Sequence, residues 1–208
     1  MIVRPRGSRP YRLPTGGLMQ AFKAIREDIE VRGQALVGLT MATGSYSGLA
    51  LKILARHGIR EIDVNAWYPQ QVCLDVYRDV LREIGPQTMF QIGRYIPDNA
   101  LWPEEIKDVE AAFRFIDIAY HMNHRLNGAA MFDVQTGAMA DGIGHFRCAR
   151  VGKRRIDVVC DTPYPSENDR GVIVGCGRKF EPTLDAVLDE SQPTRLRGAR
   201  SCTFITTW

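Results

Sequence analysis

Four histidines and five cysteines are the side chains of this 208-residue sequence best suited to metal or nucleophilic chemistry, and most of them fall beyond residue 120. His121 and His124 stand three apart near the predicted end of a helix. At that spacing two imidazoles can face one side and hold a metal together, or one can serve as an axial haem ligand. No His-Glu-x-x-His pattern accompanies them, and no carboxylate stands at helical spacing beyond them. A helix C-terminus also favours histidine through its dipole alone. His145 and Cys148 lie on a predicted strand that could face the same space, where Cys160 or Cys202 would complete a thiolate/imidazole set. Asp161, Glu167 and Asp169 gather at a Pro-rich elbow, and paired carboxylates can do acid–base work when one is buried. Ser166 with Asp169 also reads as a variant capping box for the helix that follows.

These residues need elements to position them. Met19, Phe22, Ile25 and Ile29 recur at helical spacing over 17–31, and Gly33 stops that helix. Residues 34–43 fit a strand or a buried packing segment. Ser45 and Ser47 are candidate caps for a helix carrying Ala50, Ile53, Leu54 and His57, with Gly58 as its stop. Pro69 opens the clearest amphipathic helix, a doublet stripe from Val72/Cys73 to Ile84 closed by Gly85-Pro86. Helices are predicted over 88–95 and 103–124, the latter opening on Pro103-Glu104-Glu105. Beyond Asn127-Gly128 the period changes to two. Residues 131–134, 145–151 and 155–160 read as strands, with a hairpin turn at Gly152-Lys153-Arg154. A helix over 166–180 interrupts them, and strands over 186–190 and 202–207 flank a basic Arg195–Arg200 turn. Gly171, Gly175 and Gly177 fall inside that helix, which suits close packing against the sheet rather than a phosphate cradle. Helices first and sheet second make the fold class α+β: an N-terminal helical layer packed on a C-terminal antiparallel sheet interrupted by one helix.

Composition sets outer bounds. Hydrophobic content of 45% with 25% charge suits a globular protein with a sizeable core. The expected organisation is a flexible basic arm over 1–16, then a single domain over 17–208, mainly helical to 127 and mainly sheet after 128. A net charge of +3 does not imply nucleic acid as a partner. Arginines cluster in the arm (Arg4, Arg6, Arg9, Arg12) and at the hairpin (Arg147, Arg150, Arg154, Arg155), where solvated surfaces account for them. No secretory signal and no confident membrane span are visible, and the odd cysteine count lacks a C-x-x-C pattern. A reducing cytoplasm is the expected location.

Three segments carry a resemblance. They are Ile62-Asp63 with Trp67-Tyr68-Pro69, Pro163-Tyr164-Pro165 with Asp169-Arg170-Gly171, and Gly198 with Ser201-Cys202-Thr203-Phe204. Over 49–208 the chain resembles the small-ligand-binding superfamily of 4-vinyl-reductase-type domains, haem–nitric-oxide-binding domains and Golgi-tethering subunits. The resemblance implies a pocket between helical layer and sheet, and binding rather than turnover. The haem branch grips propionates with Tyr-x-Ser-x-Arg; here Tyr164-Pro165-Ser166 begins that pattern, but Asn168 stands where the arginine is due and Arg170 comes two residues late. Zinc-binding members use a cysteine cluster whose last position matches Cys202, while Ser191 to Thr194 replace the earlier cysteine.

The leading expectation is a cytoplasmic sensor or adaptor domain that holds an apolar or aromatic ligand. Trp67, Tyr68, Phe113, Tyr120, His121, His124 and Tyr164 are its candidate binding residues. No residue is assigned as catalytic and none as a metal ligand; zinc and haem are the cofactors considered. Nothing in the chain reads as an output domain, so a signal would pass through a homodimer or a signalling partner. The alternatives are an enzyme acting on a hydrophobic or tetrapyrrole-like substrate through His121, His124, His145 and Tyr164, a haem-based gas sensor, and a tethering subunit. No nicotinamide or flavin fingerprint supports the enzyme.

Overall fold

The computed structural model describes residues 22–208, so the arginine arm and the start of the helix expected over 17–31 lie outside the described residues. Ile29–Arg32 is strand β1, not the end of that helix: Ile29 and Val31 alternate inward, while Glu30 accepts two hydrogen bonds from Arg125. A 3₁₀ turn (Gly33–Leu36) and a short helix α1 (Gly38–Met41) then bury Leu36 and Leu39. Helix α2 (Ser47–Arg56) points Ala50, Ile53 and Leu54 inward. Neither serine caps it, and Gly58 ends it at φ 82°, a left-handed conformation that glycine adopts without steric cost.

Strand β2 (Trp67–Pro69) runs into α3 (Gln70–Glu83), whose stripe of Cys73, Leu74, Val76, Tyr77 and Val80 is buried. Each large side chain of such a stripe contributes about 1.5–3 kcal/mol on burial. Helix α4 (Pro86–Asp98) follows, then a turn, then α5 (Val109–Met122). The α5 start differs from the expected Pro103, because the Asp108 carboxylate caps the helix by accepting from the Ala111 N–H. Past its end come β3 (His124–Leu126) and β4 (Ala129–Ala130). His124 therefore belongs to a strand, not to the helix.

The order β2-β1-β3-β4 forms one antiparallel sheet, which the helical reading of residues 17–31 had concealed. The second sheet is the expected one except that residues 131–134 form no strand of it, Phe132 making only an isolated bridge to Met139. Strands β5 (Phe146–Gly152) and β6 (Arg155–Cys160) make the hairpin, α6 (Ser166–Arg178) interrupts, and β7 (Asp185–Leu188) and β8 (Cys202–Thr207) complete the order β5-β6-β8-β7. The architecture is α+β, as expected.

Helices α4 and α6 cross at backbone contact. A Cβ on Gly93 would meet the Asn168 carbonyl oxygen at 2.1 Å, and one on Gly171 would meet that of Phe90 at 2.2 Å. The α6 glycines at 171 and 175 thus serve a helix pair rather than the sheet against which they were expected to pack. Three apolar clusters lie among the helices and the two sheets, and Tyr120 packs against all of them.

Candidate functional site

Apolar side chains from α4, α5 and α6 do not quite close on one another. They leave a partly open cavity of about 110 Å³ in contact with both sheets. Ile96 and Pro97 come from α4, Phe115, Ile116 and Ala119 from α5, and Val172 and Cys176 from α6. Tyr120, His124 and Tyr164 add polar groups to this wall, and all three are already engaged. The Tyr120 hydroxyl donates to the Ile143 carbonyl at 2.7 Å. His124 Nδ1 donates to the Tyr120 carbonyl at 2.7 Å, which leaves Nε2 to accept from the Tyr164 hydroxyl at 2.9 Å. Burial pushes His124 down to about 4, so the imidazole is neutral at neutral pH, and it drives both phenols well above their ordinary value. Asn168 differs: its Oδ1 is buried without a hydrogen-bond partner. Such an acceptor costs about 1–3 kcal/mol unless something donates to it.

Behind the cavity wall lies a buried guanidinium. Arg195, read from sequence as part of a basic turn, is 2% exposed. It donates to Asp169 Oδ2 at 2.6 Å, to the Thr162 and Tyr164 carbonyls, and from Nε to Cys202 Sγ at 3.4 Å. Asp169 also accepts from the Thr162 hydroxyl at 2.8 Å and so does not form a capping box with Ser166, whose hydroxyl contacts Cys202 Sγ instead. One side chain thereby ties the Pro-rich elbow, α6 and β8 together. Cys202 is bound to this guanidinium rather than to a cluster of thiols. Cys160 is buried, and burial pushes its thiol well above the ordinary value, against a thiolate role.

A second polar group sits where α5 meets the start of β5. Asp117, on α5, accepts from His145 Nδ1 at 2.9 Å and from the Phe146 N–H at 2.9 Å. His145 Nε2 donates to Asp141 at 3.1 Å. Burial opposes charge on His145, but the two carboxylates outweigh it and raise its pKa. His121 is fully buried beside His145, with ring centroids 4.8 Å apart.

The seven candidate binding residues separate in space. Tyr120, His124 and Tyr164 line the cavity. Phe113 is buried in the α5–sheet cluster, with Phe115 facing the cavity in its place. Trp67 lies under the Arg125 guanidinium at 4.7 Å, and the Tyr68 hydroxyl accepts from the Asp63 N–H. His121 turns away from His124 toward Asp117 and His145. Sequence reasoning missed Asn168 as a polar lining atom, Arg195 as a buried cation, and Asp117. Only the last had a local signal, four residues before His121.

No protein-family model matches this sequence, and no curated protein matches it. Solved structures do. An H-NOX protein from S. oneidensis in the Fe(II)NO ligation state is similar at a TM-score of 0.59 and 13% identity, covering 84% of this chain and 97% of that one. The Fe(II) unliganded H-NOX protein from K. algicida gives 0.55 and 10% identity over 85% and 95%. A single-site mutant of T. tengcongensis H-NOX gives 0.52 and 14% over 83% and 94%. At these identities the likeness is one of fold, and it agrees with the sequence resemblance: the chain has the α+β fold of the H-NOX (haem–nitric oxide/oxygen binding) domains.

Proposed function

We propose that this chain is the ligand-binding domain of a sensor or adaptor, and that it holds a small aromatic or largely apolar molecule. The observation that carries this reading is the mainly apolar cavity between the helices and the sheets, whose polar lining groups Tyr120, His124 and Tyr164 are engaged within the protein. At about 110 Å³ it is close in size to cavities of about 150 Å³ that admit benzene. A small aromatic molecule such as a phenol is of the class that would fill it. A cytoplasmic setting, with output through a second copy or a signalling partner, belongs to the same reading. It is supported by five free cysteines and by the absence, among the described residues, of any helix long and apolar enough to cross a membrane.

Haem, which the fold brings to mind, does not fit the residues present. The cavity is far smaller than the roughly 300–1,000 Å³ of ordinary cofactor pockets. The His124 Nε2 that would face an iron accepts the Tyr164 hydroxyl. Asn168 stands where a propionate-binding arginine would be, Arg195 is committed to Asp169, and Arg170 pairs with Glu167 over the Phe90 ring.

Calorimetry with phenol, benzyl alcohol and indole, beside native mass spectrometry of the protein from its own host, tests the proposal. The expected result is one ligand per chain, with binding abolished in Ala119→Phe, which fills the cavity. Absence of binding by any probe, together with a clean apoprotein mass, would sink it.

A further inference from the structure

The cluster at the α5–β5 junction is independent of the cavity, and its chemistry is that of a metal site. One ligand atom from each of Asp117, His121 and His145 lies within 4.8 Å of the others, and among the described residues this is the His/Cys/Asp/Glu group so arranged. The orientation of the two rings is the stronger argument. His121 Nδ1 donates to the Asp117 carbonyl at 2.7 Å, which fixes the tautomer and leaves the lone pair on Nε2. That Nε2 is buried, on a fully buried side chain, and has no hydrogen-bond partner. His145 is held in the complementary way: Nε2 donates outward to Asp141, while Nδ1 faces the Asp117 carboxylate. His121 thus has one nitrogen secured by an oxygen acceptor and the other available, while His145 has both nitrogens on carboxylates and must give up its Nδ1 proton before that nitrogen can bind an ion.

The geometry points to a divalent transition-metal site, with zinc as the occupant, coordinated by the Asp117 carboxylate, the His121 imidazole and His145 Nδ1. Asp141 acts as an outer carboxylate, and water takes the fourth position. Two imidazoles and one carboxylate suit zinc. On coordination the His145 Nδ1–H bond breaks and its proton leaves to solvent, while the nitrogen lone pair goes to the metal. Ligand atoms in a tetrahedral site stand roughly 3.3 Å apart at metal–ligand distances of about 2.0–2.1 Å. Rotation of the partly exposed His145 closes the remaining gap. His121 follows Tyr120 on α5, and the Asp141–Phe146 segment contains Ile143, whose carbonyl accepts the Tyr120 hydroxyl. The metal would therefore clamp the segment that also holds a cavity-lining phenol.

The test is titration of the full chain, first stripped with chelator, with zinc by calorimetry and with cobalt(II) by visible absorption. One ion per chain is expected, with cobalt bands of a four-coordinate nitrogen/oxygen site. His145→Gln should weaken zinc binding at least about 100-fold and Asp141→Asn about 10-fold, as removal of ligands and their supports does. His57→Gln, which keeps a partner for Asp79 elsewhere in the fold, should change nothing. Should His121→Gln fail to fold, His145→Gln and the cobalt spectrum decide. Absence of saturable binding in the wild type, or one-to-one binding that survives His145→Gln, would overturn the assignment.

Discussion

The two sides of the end of α5 solve opposite problems with the same residue type. His124, on the cavity side, has both nitrogens bonded within the protein, to the Tyr120 carbonyl and the Tyr164 hydroxyl. His121, three residues earlier, has one nitrogen bonded and one bare. The cavity side keeps a neutral ring in an apolar wall, and the outer side keeps a ligand atom in reserve next to two carboxylates. Proximity in sequence does not make two histidines one site; the partner of each ring nitrogen decides.

The largest effect that would break the contrast is removal of the buried ion pair behind the cavity. Arg195→Met leaves the Asp169 carboxylate buried and unpaired, and urea denaturation should show a loss of about 3–5 kcal/mol. Next is the pH response of the cavity side. The folded His124 titrates at about 4, below the ordinary 6.5, so the unfolded chain takes up the proton first as pH falls. Its contribution is therefore complete above pH 6.5 and is lost between 6.5 and 4, by about 3 kcal/mol. In His124→Gln that part of the urea-midpoint drop should vanish; an unchanged pH profile would show that the ring is not held neutral. Tyr164→Phe, which removes the donor to His124 Nε2, should cost about 1–2 kcal/mol and lift the pKa of that imidazole, seen as a shift in its proton resonances. The smallest effect is expected on the outer side. Asp141, 96% exposed, should change metal-free stability by under about 1 kcal/mol when replaced by Asn.

Legibility followed how local each determinant is. Strands β6 and β8 and helices α3 and α6 stood out in the sequence because their period repeats and their stops are Pro or Gly. Strand β1 did not, because Phe22, Ile25 and Ile29 also satisfy a helical period and four residues carry too little alternation to compete. The start of α5 was misplaced because Pro103-Glu104-Glu105 imitates a helix opening that the Asp108 cap performs. Within the site, Tyr120, His124 and Tyr164 could be singled out as aromatic or imidazole groups. What could not be read was which arginine of Arg195, Arg197 and Arg200 turns inward, since its partners Thr162, Tyr164 and Asp169 lie 26 to 33 residues away. Asp117 was different: its spacing to His121 was visible, but its use depends on His145 arriving from another element.

The crossing of α4 and α6 at Gly93 and Gly171 has a mechanical consequence. Two helices in backbone contact cannot be pressed closer, and they form a fixed frame along two walls of the cavity. Room for anything bulkier than the empty space has therefore to come from the other lining elements, α5 and the residues of the two sheets, rather than from this helix pair.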